Sequence, residues 1–334
     1  MTDRWTLTDA DGLQIQVLRY GASWVSCRVP LANEAPREVL LGFDDLASQR
    51  RNRGYVGATV GRWANRIAGL ELRRGGQAWP LASEPGLTHQ LHGGPGGFHQ
   101  RDWTLLEHSE HQLRLGLHSP DGDQGFPGAL DVEVRYSLPG HGAVQIDFHA
   151  RLQGAQACPV GLTNHAYFQL DGRGRGEQTA GEGGLRWQDV RTQTLQLGAS
   201  QALPLDGSGL PAGAPAPVSG GALDYRTARL IGQPLDQAFV LDGGDMPAAR
   251  LQSVDGRVAL DLYTSLPALQ VYTGHYLAPC TQGCHPQWPD FSAVALEPQY
   301  LPDSPHHPEW PQPDCWLEPG QVWVHRNRYQ FRSR

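Results

Sequence analysis

The chain has 334 residues, with 27 basic and 34 acidic side chains, a formal charge of −7 and 39% apolar residues. Such a balance excludes a nucleic-acid surface, which needs a clustered excess of cations to displace counterions. There is no lysine anywhere, which excludes Schiff-base, pyridoxal-phosphate and P-loop chemistry, because arginine cannot replace the lysine amine in them.

In chain order, Met1 to Leu13 is polar and carries no signal-like apolar stretch, and no later run approaches the length of a membrane span. A cytoplasmic protein with no membrane or nucleic-acid partner is expected. The runs Leu13–Tyr20, Leu113–His118, Ala129–Leu138, Ala143–Leu152 and Arg257–Thr264 read as strands between Gly, Pro, Asp and Asn clusters. Asp44–Arg51, acidic at its start and basic at its end, reads as one short helix. Arg173–Gly184 and Gly207–Gly221 are glycine-rich and read as surface loops rather than linkers, since strand-like patterning resumes after each. Five cysteines form a sparse, odd set and are expected to be free thiols. No internal repeat is evident. The expected fold class is all-β, a large antiparallel β-sandwich with few short helices, and residues 1–334 are read as a single domain.

Chemistry concentrates on a few stretches. In Val160–Leu170, alternation puts Val160, Leu162, Ala166, Phe168 and Leu170 on one face and Thr163, His165, Tyr167 and Gln169 on the other. That polar row reads either as a surface for hydroxyl binding and proton exchange or as a solvated outer face. Leu269–Leu277 sets Gln270 and Tyr272 together, and Ser292–Gln299 sets Glu297 and Gln299 in line with Ala293 and Ala295. Glu297 ends an uncharged run and is held extended by Pro298. Its carboxyl is expected to be desolvated with a raised pKa, as a functional acid or as half of a structural ion pair with an arginine. Gly54–Gly69 matches no nucleotide fingerprint, but its Asn65 and Arg66 suit a polyol or carboxylate. His92 sits in a glycine-rich turn, Leu91–Gly97, where it reads either as a group beside backbone that can approach a ligand or as a merely exposed histidine.

Other patterns carry less. Cys280, Cys284 and His285 have a spacing a metal could use but lack a matching second pair. His306, His307 and Glu309 lie among prolines and cannot form a helical metalloprotease motif, and there is no G-x-S-x-G elbow. Most of the ten tryptophans read as core, with one or two able to stack on a sugar.

Eight motifs in order, GATVGRWANRIAG (57–69), QLHGG (90–94), DGDQGFPGAL (121–130), NHAYFQL (164–170), DQAFVL (236–241), LQVYTGHYL (269–277), ALEPQYLPDSP (295–305) and LEPGQVW (317–323), together resemble the aldose 1-epimerase, or galactose mutarotase, family. The resemblance implies a galactose-mutarotase-like sandwich, an open cleft, no cofactor or metal, and interconversion of the α and β anomers of a free hexose, galactose or glucose. By position it implies His165 as general acid, Glu297 as general base, His92 as the second site histidine, and Asn65, Arg66, Asp236 and Gln270 as the residues holding sugar hydroxyls. The implied partner is a monosaccharide, and the protein a monomer or homodimer. Gln90, Gln169 and Gln237 depart from the residues common in the family and are expected to bear on sugar preference, as is the insertion-like stretch Cys280–Pro289. With unperturbed pKa values of about 4.3 and about 6.5, an ionised Glu297 and a protonated His165 are expected to coexist. Two rival readings stay open, a glycoside hydrolase using Asp236 and Glu297 as its carboxylate pair and a non-catalytic carbohydrate-binding sandwich.

Overall fold

Along Ala129–Gly140 every second side chain is buried, so Leu130, Val132, Val134, Tyr136 and Leu138 face inward while Asp131, Glu133 and Arg135 face out. Each inward aliphatic contributes about 1.5–3 kcal/mol relative to an exposed one. The outward row is matched across the sheet, Arg135 lying opposite Asp147 and bonding to it. This is the period-two pattern of an antiparallel sheet with one solvated face. It recurs, less regularly, in neighbouring Gln112–Ser119 and Ala143–Gln153.

These strands belong to a computed structural model in which residues 3–172 and 188–334 are described. Nine strands form one antiparallel sheet in the order 104–108, 112–119, 129–140, 143–153, 322–333, 258–264, 249–252, 194–197 and 229–230. A six-stranded sheet runs 167–168, 294–299, 268–272, 236–240, 201–202 and 216–217, and a four-stranded sheet takes residues 4–38. A shared core joins them: Trp24, Phe168 and Tyr329, from the three sheets in turn, are in mutual ring contact at 5.2–5.9 Å. The mostly-strand sandwich agrees with the sequence reading, and the two α-helices among the described residues, Leu46–Arg51 and Leu277–Cys280, are short. The first starts two residues later than expected because Asp45 caps it, accepting from Ser48 N. All five cysteines are free. No helix among the described residues is long and apolar enough to cross a membrane.

Three local readings change. Val160–Leu170 is not one strand with a solvated face, for every residue in it is buried. Thr163–Asn164 pairs with Thr59–Val60, whereas Tyr167–Phe168 pairs with Val294–Ala295, so the chain switches sheets at His165 and Ala166. The strand expected through Leu277 stops at Tyr272, because Gly274 takes φ +66° and a helix opens at Leu277. The stretch Gly207–Gly221 is not all loop, since Ala216–Pro217 pairs with Gln201–Ala202. The other glycine-rich stretch, Arg173–Gly184, lies outside the described residues.

Candidate active site

Antiparallel register brings the acids together. Gln270 lies directly opposite Glu297, and Asp236 is the diagonal neighbour of Gln270 on the next strand, near enough for Gln270 Nε2 to donate to Asp236 Oδ1 at 2.5 Å. His165 reaches them from the sheet switch, where its N–H donates to the Ala58 carbonyl and its carbonyl accepts from Gly57 N. Its Nε2 stands 3.5 Å from Glu297 Oε1, with both side chains at most 5% exposed. His92 comes from the Leu91–Gly97 turn. A β-carbon at Gly93 would fall 1.9 Å from the Gly61 carbonyl oxygen, so only glycine lets this turn close and carry His92 inward.

These groups share one cavity of about 340 Å³, whose walls include Asn65, Arg66, His92, His165, Asp236, Gln270 and Glu297. All seven residues singled out from sequence therefore meet. His92, His165, Gln270 and Glu297 are the buried floor, while Asp236 and Arg66 are partly exposed. Arg66 Nη1 donates to Asn65 Oδ1 and its Nη2 lies 3.6 Å from Asp236. Among the described residues Glu297 thus has no arginine partner of its own; its ion-pair contact is His165, and its Oε2 is buried without a hydrogen bond.

Burial dominates the electrostatics. It pushes the Glu297 carboxyl well above its usual range, with Asp236 adding repulsion and Arg66 opposing. It pulls His165 down to about 3 and His92 well below an ordinary imidazole, the latter helped by His165 and Arg66. Burial therefore disfavours the coexisting carboxylate and imidazolium expected from reference values and weights the pair towards a neutral acid beside a neutral imidazole. The dyad still holds one proton.

His92, His165 and Glu297 place one ligating atom each within 4.8 Å of one another. They fit a metal poorly. His92 Nδ1 accepts from Asn65 N at 3.1 Å, so the neutral ring carries its proton on Nε2, the atom left for the cleft, which makes it a donor rather than a ligand. The Cys280, Cys284 and His285 spacing does not make a cluster either: Cys284 Sγ contacts Ser48 O, His285 pairs with Asp44, and only Cys280 lines the cavity.

Sequence reasoning missed Tyr55, which also lines the cavity. Its ring centroid is 4.5 Å from that of His92, 4.6 Å from that of half-buried His99 and 5.8 Å from that of His165. Tyr55 takes φ +56°, rare for a bulky residue, and nothing local announces it. Arg53, Leu277 and Tyr276 line the cavity as well, Tyr276 being 62% exposed. Conversely, Gln90 donates to the Ala82 and Gln124 carbonyls, Gln169 to those of Gln188 and Ser292, and Gln237 to that of Leu203. None of these three is on the cavity wall.

Residues 3–330 match the profile of a family described as aldose 1-epimerase. The chain belongs to the aldose 1-epimerase family. It is 37% identical to the aldose 1-epimerase of Escherichia coli (strain K12), over 98% of this chain and 94% of that protein. It is 33% identical to the galactose mutarotase of Mus musculus, over 96% and 92% of the two. Among solved structures, a GalM/aldose epimerase homologue from C. elegans superposes with a TM-score of 0.87 at 25% identity, covering 99% of this chain and 98% of the other. A galactose 1-epimerase from Lactobacillus acidophilus NCFM, 24% identical and covered to 93% by 98% of this chain, has the same fold at a TM-score of 0.80. Membership in this family weighs against the hydrolase reading, and so does the engagement of Asp236 by Arg66 and Gln270.

Proposed function

We propose that in this aldose 1-epimerase, an isomerase interconverting the α and β anomers of a free monosaccharide, Glu297 is the general base and His165 the general acid. The observation carrying this reading is the 3.5 Å approach of His165 Nε2 to Glu297 Oε1 at the floor of a cavity of ligand size. Ring opening needs the C1 hydroxyl proton removed while one is delivered to the ring oxygen. Glu297 takes the C1 hydroxyl proton as the C1–O5 bond breaks, its electron pair goes to O5, and His165 Nε2–H protonates O5. The open aldehyde then faces a neutral acid and a neutral imidazole, the direction in which burial shifts both groups. Rotation about C1–C2 presents the other carbonyl face, and the same transfers run backwards.

The sugar itself draws the dyad into its charged form, because its C1 hydroxyl donates to the carboxylate while Arg66 adds positive potential. His92 Nε2–H supplies a fixed neutral donor for negative charge growing on the ring oxygen. Arg66, Asn65, Asp236 and Gln270 hold hydroxyls away from C1. The whole chain acts as one unit in this reading.

Polarimetry of freshly dissolved α-D-galactose tests it: the rotation should decay faster with protein than in buffer. Decay at the buffer rate would leave a carbohydrate-binding sandwich, and release of new reducing ends from a disaccharide would point to a hydrolase.

A further inference from the structure

The excursion after Gln201–Ala202, glycine- and proline-rich and expected to be a surface loop, meets the cleft machinery where Gly209 packs on Arg66. Gly209 packs so closely on Arg66 that a β-carbon there would lie 2.6 Å from Arg66 Cζ and 2.9 Å from both Nε and Nη1. From this contact we infer that Gly209 is a positioning residue for sugar binding, covering the Arg66 guanidinium so that its donors are aimed into the cavity. The inference rests on the proposed role of Arg66 in holding hydroxyls.

The guanidinium needs such a wall. Its direct partners are Asn65 Oδ1 at 3.2 Å and Asp236 at 3.6 Å, and its Nε is buried without a hydrogen bond. Asp236 is proposed to serve the sugar as well, so it cannot alone define where the cation points. Backbone laid against the guanidinium excludes water from that side and restricts rotation of the terminal torsion, which leaves the Arg66 side chain only 17% exposed. An arginine already oriented loses less entropy on binding.

The loop is constructed to make this approach repeatable. Asp206 Oδ1 accepts from Ser208 N, Ser208 Oγ and Leu210 N, Gly209 N donates to the Asp206 carbonyl, and Leu205 bridges to Pro211. Its stem, Gln201–Ala202, pairs with the strand that begins at Asp236. One sheet therefore carries both the carboxylate and the covering loop that meet the same guanidinium. Gly209 has φ +77°, and any side chain there would be both strained and driven into Arg66.

The test is a kinetic cycle on D-galactose. Gly209→Ala should raise KM at least about fivefold through misplacement of Arg66, with kcat within about twofold. Gly207→Ala, at a position with no atom within 4 Å of an added β-carbon, should behave as wild type. In an Arg66→Gln background Gly209→Ala should change KM by less than about twofold, since residues acting through one group are not additive. Should Gly209→Ala not fold, Asp206→Ala, which releases the loop's own hydrogen bonds, should give the same KM rise and the same loss of effect without Arg66. Wild-type KM in the loop variant, or an equal penalty with and without Arg66, overturns the inference. An inactive wild type would instead overturn the functional reading.

Discussion

The backbone N–H of Asn65 donates to His92 Nδ1 at 3.1 Å, and this one bond decides which tautomer the cleft meets. With Nδ1 occupied as an acceptor and protonation disfavoured by burial, His92 should present Nε2–H across the working range. Nitrogen-15 shifts of the ring should show a neutral Nε2–H form at pH 6; an Nδ1–H form, or an imidazolium, would contradict it. Because a protonated Nε2 cannot ligate, a chelator should leave activity intact, and loss restored by a divalent ion would restore the metal reading.

A second expectation concerns pH. The dyad works while it holds a single proton. With unshifted values that window would run only from about 4.3 to about 6.5. The shifts move both limits. Lowering His165 to about 3 postpones uptake of a second proton on the acid side, and raising Glu297 makes loss of the last proton a property of the carboxyl rather than of the imidazole. A profile of kcat/KM, corrected for spontaneous mutarotation, should therefore be a bell whose acid limb falls below the unshifted carboxylate value of about 4.3. Inflections at the two reference values would show that burial does not govern the pair.

Removing either member should be severe. Glu297→Gln and His165→Asn should each lower kcat by at least about 10²-fold, the scale of a general acid or base. Rates near wild type in either variant would take that residue out of the mechanism.

The same buried acid should cost stability. An acid whose folded pKa is raised above its unfolded value has no penalty below the unfolded value; the penalty grows with pH and is complete above the folded one. Glu297→Gln should therefore melt higher than wild type at pH 8, by roughly 2 °C for about 1 kcal/mol in a large domain, and the gap should close towards pH 4.5. A wild type more stable than the variant at pH 8 would refute this.

Sugar preference offers a negative control. Since Gln90, Gln169 and Gln237 are tied to backbone carbonyls away from the cavity wall, Gln90→Asn and Gln237→His should leave the ratio of kcat/KM for galactose over glucose within about threefold, well under the 10-fold that about 1.4 kcal/mol gives. A larger change would mean these amides act on the site through the strands they anchor.

Much of this was legible along the chain. Alternation exposed the sandwich because a residue's side of a strand follows from its parity, and an uncharged run ending in Glu297 announced a desolvated acid. A stretch such as Val160–Leu170 misled for the same reason: parity says which side a residue takes but not whether water or another sheet lies there. His165 is functional in this reading because the chain leaves one sheet for another at that point, a choice made by distant pairing partners.

By itself, then, the residue order determined the all-β class, the absence of lysine chemistry, the family, and the seven side chains that the fold gathers around one cavity. Only the tertiary structure decided the direction in which burial shifts His165 and Glu297, the tautomer of His92, the presence of Tyr55 against its histidines and the contact of Gly209 with Arg66. Charge state and aim depend on what surrounds a group in space, and those surroundings come here from separate segments of the chain, 27 residues apart for Asn65 and His92 and well over a hundred for Gly209 and Arg66.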